Sequence, residues 1–155
     1  MIKLSGSYQL SSITLPQHTF QIKSNKFKKS DEDFTIWFLE GILDNHPSYV
    51  DCLMYLGNAY TIQGRHEEGL RVDKRLAELR PKDPVVRYNL ACSYSLVGNV
   101  DAAIEALETS IKLGYKDIRH IEKDRDLERL RYDKRYQELL DKTKRANAAR
   151  NKEDT

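Results

Sequence analysis

The feature that most constrains this chain is its self-similarity at one fixed interval. Leu56 and Leu90 stand 34 residues apart, and so do Gly57 and Ala91, Tyr60 and Tyr94, and Gly64 and Gly98. Leu70 and Ile104, Leu79 and Leu113, and Pro47 and Pro81 keep the same interval. A unit repeated at such a period cannot bury its apolar face alone, so successive units must stack on one another. Within the units, apolar residues recur at three- and four-residue steps, as in Leu53, Leu56 and Tyr60, which is a helical period. Breakers fall at Pro47, Gly64, Pro81, Gly98 and Gly114. The pattern predicts an all-α chain with helices near 32–45, 49–63, 66–79, 84–97, 100–113, 117–123 and 133–147. Tyr60, Leu70, Leu90, Tyr94, Ala103 and Leu107 are expected in its core.

Composition narrows the class. Of 155 residues, 39% are hydrophobic and 32% charged, which describes one domain with a modest core and a wet surface. No stretch approaches the ~18 apolar residues of a membrane helix, and MIKLSGSYQL has no continuous apolar run of the secretory kind. Cys52 and Cys92 fit no metal or redox spacing, so a reducing compartment, the cytoplasm, is expected. The net charge of +2 names no partner.

The repeats carry a family resemblance. Leu56, Gly57, Tyr60, Gly64 and Pro81 in the first unit, and Leu90, Ala91, Tyr94, Gly98 and Ala103 in the second, resemble the tetratricopeptide-repeat pattern, whose period is also 34. Two departures stand out. The usual tryptophan of the first helix is Leu53 and then Arg87, and the alanine of the second helix is Gly69 in the first unit. After Asp117, the residues Asp124, Asp126, Leu127, Leu130, Arg131, Asp133, Arg135 and Tyr136 resemble the closing segment of bacterial tetratricopeptide arrays. The resemblance implies a short α-solenoid, a right-handed stack of helix-turn-helix repeats with a C-terminal capping helix started by Asp133 and seated through Leu139 and Leu140. It divides the chain into a half repeat at 31–49, repeats at 50–83 and 84–117, and a cap at 118–142. A charged tail, 143–155, follows as a frayed helix end.

Residues 1–30 read differently. They carry Lys3, Lys23, Lys26, Lys28 and Lys29 and no acid, whereas the next stretch brings Asp31, Glu32, Asp33, Glu40 and Asp44 and no base. Such a shift marks a boundary. YQLSSITL and HTFQIKS suit extended segments, and a disordered arm is the other reading. The segment is acid-free and rich in Ser and Thr like an organelle transit peptide, but it lacks arginine.

Catalytic patterns are absent from the sequence. His66-Glu67-Glu68 is followed by Leu70 where a zinc protease would need a second histidine. His46, His66 and His120 lie far apart in the repeat register, with no partner at ligand spacing. The repeat alignment sets no histidine beside either cysteine, which argues against a thiol nucleophile. The basic residues of 142–150 lack the interleaved aromatics of a nucleic-acid surface. No enzyme activity, metal, cofactor, nucleic acid or membrane is expected.

The resemblance implies a concave face lined by the first helix of each repeat. That face would offer Asp51, Met54, Tyr55, Asn58, Thr61 and Ile62, then Val85, Tyr88, Asn89, Cys92, Ser95 and Leu96, then Arg119, His120 and Lys123. The expected function is binding of a protein or peptide, with amides for its backbone and Met54, Tyr55 and Ile62 for apolar contact. Chaperone-binding members of the family grip a C-terminal carboxylate with two lysines, two asparagines and an arginine. Asn58 and Asn89 are taken to match the asparagines, and Arg119 and Lys123 the second lysine and the arginine. Met54 replaces the first lysine, and losing one charge-assisted hydrogen bond costs about 1.5–3 kcal/mol, so a full clamp is not expected. The competing function is a self-associating homodimer module. The first helix is apolar on two faces: Thr35, Ile36, Leu39, Ile42 and Leu43 should meet the next helix, leaving Phe34, Trp37 and Phe38 on the other side. Either a second copy or the arm, residues 8–22, should cover those three.

Overall fold

A computed structural model describes the backbone of residues 31–153 and the side chains of residues 34–149. The arm at 1–30, and with it the expected cover from residues 8–22, lies outside the described residues. Seven α-helices follow in order: α1 (Asp31–Asn45), α2 (Val50–Ile62), α3 (His66–Leu79), α4 (Pro84–Leu96), α5 (Val100–Lys112), α6 (Ile118–Lys123) and α7 (Lys134–Glu153), with a 3-10 helix at Arg125–Leu130 between the last two. The described residues contain no strand. No helix among them is long and apolar enough to cross a membrane.

Local chemistry sets the helix limits. Asp83 accepts hydrogen bonds from the N–H groups of Val85 and Val86, with Pro84 at the first helical position, where its missing N–H costs nothing. Asn99, Asp117 and Asp133 accept from the N–H groups of Ala102, His120 and Arg135 and so begin α5, α6 and α7. The ends of α2 and α4 are copies of each other. Gly64 and Gly98 have φ of 70° and 83°, values that an L side chain resists. In α2 the N–H of Arg65 reaches the carbonyl of Tyr60 and that of Gly64 reaches Thr61; in α4 Asn99 reaches Tyr94 and Gly98 reaches Ser95. These paired bonds satisfy the last carbonyls of each helix.

Each helix from α1 to α4 packs on the next, α4 and α5 also pack on the 3-10 helix, and α7 lies against α5 and α6. The core runs along this stack through Leu76, Ala91, Ala103, Leu107, Ile121, Leu127 and Leu130. Small residues mark the closest approaches: a Cβ on Gly57 would lie 3.2 Å from Oδ1 of Asp73, and Ala91, its equivalent, is wholly buried. Tyr136 and Leu140 are buried and Leu139 packs beside them, which seats α7 on the stack.

Several expectations need correction. Tyr94 is only half-buried, its ring face lying 5.4 Å from the Lys74 ammonium; an amphipathic tyrosine can keep one edge wet. In α1 only Ile36 is fully buried among the described side chains, Leu39 and Leu43 are partly so, and Thr35 is exposed rather than turned to α2. The last helix runs beyond the expected end at 147, to Glu153, since KTKRANAARNKE contains no breaker and several good helix formers.

Candidate functional site

The candidate face is built on α2. Helical spacing puts Asp51, Met54, Tyr55, Asn58 and Ile62 on one side, and all five are exposed. Two large side chains stand far out, Tyr55 at 70% and Ile62 at 67% exposure. Thr61 is drawn inward, its hydroxyl donating to the Gly57 carbonyl at 3.1 Å. Apart from Asp51 this stripe is uncharged, so it can offer apolar contact and the Asn58 amide.

The equivalent stripe of α4 is closed. Thirty-four residues after Met54 stands Tyr88, and after Asn58 stands Cys92; they are only 4% and 8% exposed. The turn between α6 and the 3-10 helix covers them. Tyr88 stacks on Tyr115 with ring centroids 4.4 Å apart and planes 6° from parallel. Its hydroxyl donates a short hydrogen bond to Oδ2 of Asp124, and the Cys92 Sγ lies 3.8 Å from the same oxygen. The His120 ring closes the edge, 5.5 Å from the Tyr88 ring and with Nε2 3.6 Å from Asp124 Oδ2. Tyr88 and Cys92 are therefore not open to a partner, contrary to the expectation. Ser95 is likewise buried, while Val85 remains exposed and Asn89 and Leu96 are half-buried. Arg119 and Lys123 are exposed on α6, at the edge of this closed half rather than on the α2 stripe.

Asn58 and Asn89 stand on successive first helices, 31 residues apart. Asn58 is equivalent to Cys92, and Asn89 to Tyr55. The two amides thus occupy different positions on their helices. With Met54 uncharged, the carboxylate grip that the resemblance suggested lacks its full set of charges.

Electrostatics around Asp124 favour closure over chemistry. Burial, then the carboxylates of Asp124 and Asp126, push the Cys92 thiol far above its ordinary value, so it is no thiolate nucleophile near neutral pH. Burial likewise holds the Tyr88 phenol protonated. Ligand-type atoms of Cys92, Asp124 and Asp126 lie within 4.8 Å of one another. The two Asp124 oxygens are already engaged, Oδ2 by Tyr88 and Oδ1 by the Asp126 N–H at 2.9 Å, so the cluster reads as a latch on the cap. The sequence names every member of this latch except the pairing itself, for which the Asp-rich turn was the available signal.

A second exposed surface lies on α1. Phe34, Trp37 and Phe38 stand 48%, 40% and 52% exposed. The Phe34 ring touches both others, at centroid distances of 5.8 and 6.2 Å. On the far side of α1, Glu40 accepts a short hydrogen bond from the Tyr60 hydroxyl, and the Tyr60 phenol is pushed up to about 12, first by burial and then by Glu40.

No protein-family model matches the chain. It is similar to a chloroplastic protein of Arabidopsis thaliana, with 37% identity over 87 residues. The match covers 54% of this chain and 26% of that protein, so the chain corresponds to about a quarter of the relative's length.

Proposed function

We propose that this chain is a short tetratricopeptide-repeat solenoid, a right-handed helical stack that binds a protein or peptide partner across α2 and the rim of α4 and catalyses nothing. One contrast carries the reading. At equivalent positions of the two repeats, Tyr88 and Cys92 are covered by the chain's own cap, while Met54 and Asn58 are open beside the protruding Tyr55 and Ile62. The helix ends and small residues that recur at 34 residues support the repeat assignment. The contacts proposed are Met54, Tyr55, Asn58 and Ile62, with Val85 and Asn89 at the edge and Arg119 and Lys123 as outlying cations. A protonated, buried Cys92 supports the non-enzymatic part.

Affinity purification of a partner, followed by titration with the Tyr55→Ala/Ile62→Ala double variant, tests this. Each side chain moves from largely exposed to covered on binding, worth about 1.5–3 kcal/mol when complete. The affinity should fall at least tenfold with an unchanged melting temperature. An unchanged affinity sinks the reading and favours the second one, self-association through Phe34, Trp37 and Phe38, which light scattering would reveal as a dimer. Both cysteines are free and buried, which suits a reducing compartment. The cytoplasm expected from the sequence and the plastid named for the relative both meet that condition, and a fluorescent fusion decides between them.

A further inference from the structure

We infer that the partner segment seated on α2 is a basic amphipathic peptide, apolar in its middle and cationic at both ends; this rests on α2 being the binding face. Sign is the first argument. Residues 31–64, which span α1, the turn after it and α2, carry six acids and no lysine or arginine. Asp51 is the one charge on the exposed stripe and lies in the first turn of α2. Asp44, just before the turn into α2, is exposed as well. The first cation after α2, Arg65, is already engaged: it pairs with Glu68 at 3.0 Å and lies over the Tyr60 ring. Arg119 and Lys123 stand on α6, off the stripe.

The far end of the stripe is the second argument. Asp126 of the 3-10 helix is half-buried, and among the described residues no side chain donates to its carboxylate. Burial and then the Asp124 charge push that carboxyl up, and His66 opposes them. His66 is the first residue of α3, so Asp126 stands at the corner between α2 and α3, past Ile62. A carboxylate so poorly compensated gains from an incoming cation. Asp51 and Ile62 are about 16 Å apart along α2 at 1.5 Å per residue. A helical ligand covers that length in about eleven residues, an extended one in about five. Between the two acids, Met54, Tyr55 and Ile62 take the apolar middle. The same sign repels the phosphates of nucleic acid and the head groups of anionic lipid.

The test uses the full chain and two synthetic helical peptides with the same leucine and alanine centre, one carrying lysines at both ends and the other glutamates. Fluorescence anisotropy of the labelled peptides reads their affinity. At about 20 mM salt the lysine peptide should bind about tenfold more tightly than its counterpart, because two exposed pairs change from repulsion to attraction, and the difference should shrink at about 0.5 M salt. Asp51→Asn and Asp126→Asn should each weaken the lysine peptide severalfold and leave the glutamate peptide no weaker. Equal or tighter binding of the glutamate peptide overturns the inference, even where Tyr55→Ala/Ile62→Ala weakens that binding and so upholds α2 as the face. Absence of binding by the lysine peptide overturns it too. If the lysine peptide binds and Tyr55→Ala/Ile62→Ala does not weaken it, the peptide sits elsewhere, and the reading of α2 as the binding face fails together with the inference.

Discussion

The hydroxyl of Ser93 on α4 donates a short hydrogen bond to the carboxylate of Asp73 on α3, and both side chains are buried. Burial pushes the Asp73 carboxyl up to about 6 from an ordinary 3.8, and the Ser93 bond only partly opposes it. A raised acid binds its proton more tightly in the folded state. Its stabilising effect is therefore complete below about pH 3.8 and is lost as pH rises through about 6.

Asp73→Asn should then stabilise the domain at about pH 7.5, where the parent holds a buried charge, and do so much less at about pH 4. The shift of about two units corresponds to roughly 3 kcal/mol at most. Urea unfolding of both proteins across this range measures the effect, and parallel stability curves would show that Asp73 does not titrate as argued.

Tyr88→Phe removes the donor that closes the cap over α4. The Asp124 carboxylate then loses that partner in a partly buried site, a loss of about 1–3 kcal/mol. Cys92, shielded in the parent, should react faster with a thiol reagent in the folded variant. An unchanged rate at Cys92 would mean that the Tyr88–Asp124 bond does not hold the latch shut.

Gly98→Ala and Gly64→Ala should cost about the same. Both glycines sit at positive φ, so each alanine should cost about 1 kcal/mol from the left-handed backbone alone. At Gly98 the added Cβ also meets Nη1 of Arg129 at 2.7 Å, whereas at Gly64 nothing lies within 4 Å. Arg129 is exposed and its guanidinium can swing aside, so the two thermal midpoints should drop by similar amounts, and a much larger drop for Gly98→Ala would show that Arg129 is held in place.

Ala103→Glu should leave no folded domain at room temperature. Ala103 is wholly buried in α5, and a carboxylate there would have neither room nor a partner. Circular dichroism retaining the parent's helical signal and melting point would refute the packing of α5.

The element boundaries were legible in the sequence because they depend on residues close in the chain. Asp83 before Pro84, Asn99 before Val100 and the glycines at 64 and 98 act on N–H and carbonyl groups within a turn or so. The small residues at 57, 91 and 103 and the leucine positions follow from the repeat interval in the same way. The candidate face was legible only in part. Reading two repeats as equivalent assumes equivalent neighbours, and these differ.

Met54 and Asn58 face open space, while Tyr88 and Cys92 meet a cap whose Asp124 lies 36 residues beyond Tyr88. The sequence by itself determined the helices, their period and the residues able to line a groove. Which of those residues stay open was decided by the tertiary path of α6 and the 3-10 helix, because burial and hydrogen bonding between distant segments depend on where the chain returns. The same holds for Asp73, an ordinary surface-type residue in the sequence. Its raised carboxyl exists only because α4 brings Ser93 over it and shuts out water.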